Sequence, residues 1–175
     1  VTAKGGIVVV LSTMRKHLKS IDVQDPAFAC MRNICTHKDN RLQVAVDGGV
    51  STLLVAMSVY IEDAAIQAYG CDALGRLAFE PENRQAIESE NGIDAAIQAM
   101  KAHRGHAGVQ SRAVFLLLAV AEFEPSLVSI KDQQILELLK ETRVPPKKED
   151  LHRLEQLIRR VEQDGRTGWF GRKTT

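Results

Sequence analysis

Aromatic side chains make up only 5% of the 175 residues, there are three cysteines, and neither sign of charge is in surplus: 23 Lys and Arg face 22 Asp and Glu, a formal charge of +1. That balance excludes a whole-chain field able to hold nucleic acid or an anionic membrane surface. Cys30, Cys35 and Cys71 are an odd set at no framework-like spacing. A disulfide scaffold is therefore excluded, and free thiols in a reducing compartment, cytoplasmic or nuclear, are expected. The longest unbroken apolar run is nine residues, 113–121, where a spanning helix needs about 20, so no membrane span is expected. Val1 brings no Met, no basic segment and no long apolar stretch behind it, so the start reads neither as a signal peptide nor as a translation start. A piece of a longer protein is the expectation. What remains is a globular composition, 45% hydrophobic and 26% charged, in a chain long enough to bury a sizeable core.

The chain repeats itself. Gly6, Gly49 and Gly92 stand 43 apart, as do Met14, Met57 and Met100, and again Gln24, Gln67 and Gln110. In the same register fall Leu11, Leu54 and Ile97, then Ile34, Leu77 and Val120, with the small residues Ala27, Gly70 and Ala113. Asn40 pairs with Asn83 and Arg41 with Arg84, while Ser126 and Leu127 mark the decay of the third copy. Within one period Val23, Ala27, Cys30, Met31 and Ile34 lie at helical spacing, which predicts one buried stripe. Gly48-Gly49 and Asn91-Gly92 mark sharp breaks, each followed by a second amphipathic helix, and Pro81 opens a short third one over 81–89. Nothing reads as a strand. Each period is a short, a medium and a long helix, a unit that buries its apolar faces only by stacking on its neighbours, and that predicts an all-α solenoid.

Gly-Gly-Ile at the start of the medium helix and Val-Gln-x-x-Ala-x-x-x-Met-x-Asn-Ile at 23–34 resemble the armadillo repeat family. The resemblance covers about 5–130. It implies a right-handed α-solenoid of about three repeats, 6–48, 49–91 and 92–130 with a partial unit at 131–142, making a repeat domain of 1–142. The chain begins inside a medium helix with no short helix to cover it, so further repeats of the same parent chain are expected before Val1. After Val144-Pro145-Pro146, a helix within 143–164 carrying Leu151, Leu154, Leu157, Ile158 and Val161 is expected to cap the stack. The basic tail 165–175 carries Trp169 and Phe170, either as a frayed end or as a docking peptide.

Catalysis needs a nucleophile, a base and an orienting group, or a metal with enough ligands. The sequence offers no such constellation. Cys30 and Cys35 lack zinc or redox spacing, and His103 and His106 straddle Gly105 with no acidic partner in register. No enzyme, no cofactor and no metal are expected.

The resemblance implies instead a concave groove lined by the long helices, in which a peptide or partner helix lies. Its groove asparagine falls at Asn33, Arg76 and Ala119, and the tryptophan of nuclear-import receptors at Ala29, Asp72 and Phe115. That departure argues against a receptor for basic import signals. The expected groove residues are Arg32 and Asn33, then Tyr69, Asp72 and Arg76, then Arg112 and Phe115. Leu118 and Phe115 call for a cover, the capping helix or a partner's apolar anchor. Arg76 favours an acidic or carbonyl-rich ligand, and its reversal to Glu is expected to leave folding little changed. The expected function is a non-catalytic protein-interaction scaffold or adaptor binding protein or peptide and no nucleic acid. The alternative, on size alone, is an Hsp70 nucleotide-exchange co-chaperone with a short armadillo domain.

Overall fold

The computed structural model describes residues 4–121, and within them every regular element is helical. Eight helices follow in order: α1 (Lys4–Lys16), α2 (Ile21–Ile34), α3 (Lys38–Val46), α4 (Gly49–Val59), α5 (Ala64–Leu77), α6 (Pro81–Ser89), α7 (Gly92–Ala102) and α8 (Ala107–Ala121). From α2 to α5, α3 to α6 and α4 to α7 both ends move by 43 positions. The short helix expected at 81–89 is α6, with Pro81 in its first turn where a missing N–H costs no bond. Positions 122–130, 131–142 and 143–164, and the tail with Trp169 and Phe170, lie outside the described residues. Among those described, no single helix is long and apolar enough to cross a membrane.

Local chemistry accounts for the breaks. Asp63 caps α5, its Oδ1 accepting from the N–H groups of Ala65 and Ile66 at 2.9 Å. Gly48 and Asn91, also 43 apart, both take the left-handed conformation, with φ of 72° and 64°, and turn the chain into α4 and α7. The glycine that follows each is required by contact rather than by conformation. A Cβ on Gly49 would stand 2.3 Å from Val44 Cγ1 and 2.6 Å from its carbonyl oxygen, and one on Gly92 would meet Ile87 at 2.4 and 2.8 Å.

Packing follows the same order. α5 lies against α2 on one side and α8 on the other, while α4 contacts both α1 and α7. One core runs through them, with Leu11, Phe28, Met31, Leu53, Met57, Leu74, Met100 and Leu116 fully enclosed. Three buried glutamines fasten each medium helix to the long helix that follows it. Gln24 Nε2 donates to the carbonyls of Met14 and His17, Gln67 to those of Met57 and Tyr60, and Gln110 to those of Met100 and His103, at 2.7 to 3.1 Å. The methionine carbonyls lie in the last turns of α1, α4 and α7, groups a helix end leaves without an internal partner, whereas those of His17, Tyr60 and His103 in the turns beyond also accept the N–H groups of Ser20, Asp63 and His106. Arginine does related work between α2 and α3 and between α5 and α6: Arg41 donates to the carbonyls of Cys35 and Thr36, and Arg84 to that of Ala78.

Two expectations are corrected. The buried stripe of α2 is Gln24, Phe28 and Met31, continuing to Cys35, whereas Cys30 is exposed and Val23, Ala27 and Ile34 are only partly buried. In α4 Leu53, Ala56 and Met57 are fully enclosed, and Leu54, which shares the repeat position of buried Leu11 and was expected to be buried with it, is half-buried.

These thiols provide a test. All three cysteines are free. Burial pushes the Cys35 thiol up to about 12 against the opposing pull of Arg41 and Arg76, and burial with the neighbouring Asp72 carboxylate raises Cys71 to about 12 as well. Thiolate is the reactive form. At mildly alkaline pH the native chain should therefore label once, at Cys30, and label three times after denaturation. Rapid native labelling at Cys71 would contradict the α5 packing.

Candidate arginine cluster on the long-helix face

The side chain at the centre of the site is Asp72, in the third turn of α5, with its carboxylate 2% exposed. A lone carboxylate at that depth is costly, and its compensation comes from three successive long helices. Arg32 of α2 places Nε 3.7 Å from Oδ2, Arg76 of α5 places Nε 3.2 Å from Oδ1, and Arg112 of α8 places Nη1 3.5 Å from Oδ1. Three of the expected groove residues thus converge on a fourth. The expectation that Asp72 itself faces the groove is corrected. It is enclosed instead, because its guanidinium partners lie over it.

The pairing is mainly coulombic. Among the described residues only Arg112 makes a hydrogen bond to Asp72, a long one of 3.5 Å, and Asp72 Oδ2 and Arg76 Nε are buried with no hydrogen-bond partner there. The outer parts of the three side chains remain open, 38% for Arg32, 29% for Arg76 and 45% for Arg112. Three positive charges around one negative leave the cluster with two in excess.

Aromatic rings border it. The Arg32 guanidinium carbon stands 5.3 Å from the centre of the Tyr69 ring, a cation–π distance. Phe115 does not reach the arginines in this way. Its ring lies where a Cβ on Gly75 would fall 2.6 Å from it, and it meets Phe79 edge to face at 5.9 Å. The cover for Phe115 thus includes α5 itself. Asn33 is exposed and its side chain makes no hydrogen bond among the described residues, so it stays outside the cluster. At the equivalent position Ala119 is buried and offers no polar group.

Phe79 was missed by sequence reasoning. It is 49% exposed, its ring centre lies 5.5 Å from the Arg41 guanidinium, and Arg41 pairs with Glu80 at 2.6 Å. A signal existed: Phe79 follows the end of α5 where the neighbouring periods carry Thr36 and Glu122. The two histidines of the α7–α8 turn form no metal site; among the described residues no three potential metal-binding side chains come together. His103 Nε2 instead hydrogen-bonds the Ile61 carbonyl at 2.8 Å, just past the end of α4. That is a helix-end role.

Arg76→Glu cannot be neutral for folding, as its position on the flank of the stripe implied. It would set a second carboxylate against the buried Asp72. With Arg32 and Arg112 still in place the cost is about 1–3 kcal/mol, below that of fully breaking a buried pair. Compared with protein-family models, curated proteins and solved structures, the chain gives no match.

Proposed function

We propose that the chain is a non-catalytic protein-interaction module, built as a right-handed armadillo-type solenoid of about three repeats, whose α2–α5–α8 face binds an acidic peptide or partner helix. The observation that carries this reading is the arginine cluster. Three guanidiniums drawn from three consecutive periods meet on one face, carry a net excess of positive charge and have the Tyr69 ring beside them. Arginine and aromatic residues are the side chains that most often anchor interfaces. The 43-residue recurrence of helix ends, turn conformations and glutamine bonds supports the repeat assignment.

The test uses Arg112→Glu, because Arg112 is the most open of the three and its loss leaves Asp72 two partners. With the 175-residue chain as bait, partners retained by the unchanged protein should be lost or bound at least tenfold more weakly by the variant. A second carboxylate near Asp72 should cost about 1–3 kcal/mol, as at Arg76, so Arg112→Gln, which leaves Asp72 paired with Arg32 and Arg76, is run beside it and should lose the same partners while still melting cooperatively. A partner that binds all three baits equally would move the working surface off this face.

A further inference from the structure

We propose that Arg32, Arg76 and Arg112 form a receptor for a phosphomonoester group carried on a segment of the partner protein. The inference rests on the reading of this face as a protein-binding surface and names the chemistry it selects.

Charge is the first argument. The cluster keeps two positive charges beyond those that Asp72 neutralises, and a phosphorylated side chain brings about −1.5 to −2 at neutral pH. A single carboxylate would leave one of the two uncompensated. Geometry is the second. The guanidiniums converge on one point rather than spreading along the helices, since all three lie within 3.7 Å of the same carboxylate. Convergent forks match one compact anion with several oxygens better than a row of separate acidic side chains.

The third argument is that the donors are unspent. Among the described residues Asp72 accepts one long hydrogen bond from the group, from Arg112, and none from Arg32 or Arg76. It holds the cations together by charge while leaving their N–H forks free to turn outward. Asp72 therefore acts as an organiser, lowering the repulsion among three arginines that an arriving dianion then relieves more fully. A protein segment is favoured over a bilayer because a formal charge of +1 across the chain supplies no field to hold an anionic membrane surface.

The experiment uses the 175-residue chain and three fluorescein-labelled peptides identical except at the centre: Ala-Ala-phosphoserine-Ala-Ala, its serine twin and its glutamate twin. Fluorescence anisotropy should show the phosphopeptide binding at least tenfold tighter than either twin, with inorganic phosphate competing. Replacing Arg32→Gln together with Arg112→Gln should weaken it at least tenfold; because Asp72 then keeps only Arg76 as a partner, binding is read on protein that still melts cooperatively, and Arg112→Gln alone should weaken it several-fold. Asp72→Asn should tighten phosphopeptide binding several-fold if it folds, because it removes the competing charge; the paired glutamine variant decides the matter if it does not. Equal binding of the glutamate twin, lost in the glutamine variant, overturns the phosphate assignment and keeps the acidic-peptide reading. Phosphopeptide binding indifferent to the arginines overturns the assignment, as does tighter binding to phosphoinositide vesicles than to the peptide. If no peptide binds, the assignment falls, and the Arg112→Glu bait, which needs no phosphate, separately judges the face.

Discussion

Replacing Gly49 with alanine is expected to lower the unfolding free energy by about 3 kcal/mol, seen as a lower urea midpoint with an unchanged slope. The new methyl would meet the Val44 side chain at 2.3 Å and, more seriously, the Val44 carbonyl oxygen at 2.6 Å. A side chain can turn away; the backbone at the end of α3 can move only by shifting that helix against α4. Gly92→Ala should behave alike, since it meets Ile87 in the same manner. Gly5, where an added methyl would find nothing within 4 Å, is the control. There alanine should be neutral or gain up to about 1 kcal/mol from helix propensity. Should Gly49→Ala match Gly5→Ala, the close approach of α3 and α4 does not exist.

The second large effect is expected at the buried glutamines. Leucine nearly fills the volume of Gln67 but leaves the Met57 carbonyl without its donor, while the Tyr60 carbonyl keeps the Asp63 N–H. The stranded carbonyl costs about 1–3 kcal/mol, and the second lost hydrogen bond about 0.5–1.5 kcal/mol. Part is returned, because Gln67 Oε1 is itself buried without a hydrogen bond and disappears with the substitution. A net loss of about 1–3 kcal/mol follows, again read by urea unfolding, with Gln24→Leu and Gln110→Leu expected to agree. Changes within about 0.5 kcal/mol at all three, the range of ordinary surface substitutions, would make the glutamines incidental.

The same glutamines explain both what could be read from the sequence and what could not. The period, the helix order and the sites of the breaks were legible because steric needs recur as identical letters: glycine where two helices touch, glutamine where a helix end lacks donors. The face of α2 was misassigned for a related reason. Positions 24, 28, 31 and 35 and positions 23, 27, 30 and 34 have the same helical spacing, and the first set begins with a polar residue. Hydrophobic periodicity rejects that set, although Gln24 is buried to satisfy carbonyls ten and seven residues earlier. Asp72 failed similarly. A charged residue scores as exposed, and its burial depends on Arg32 and Arg112, 40 positions away on either side. Contacts of that reach leave no local trace.

The glutamine bonds also divide the fold into units. Each links a medium helix to the long helix directly after it, whereas many links between periods run through long arginine side chains, as in Arg15 to Thr52, Arg41 to Glu80 and the pairs around Asp72. Pulled from its ends, such a chain should give way one period at a time, because the glutamine-held hairpins and the packing of α2, α5 and α8 each resist as a unit. Extension would then come in steps rather than smoothly. A released period of 43 residues lengthens the tether by about 150 Å of fully extended chain, so the sequence period would reappear as a contour length under load.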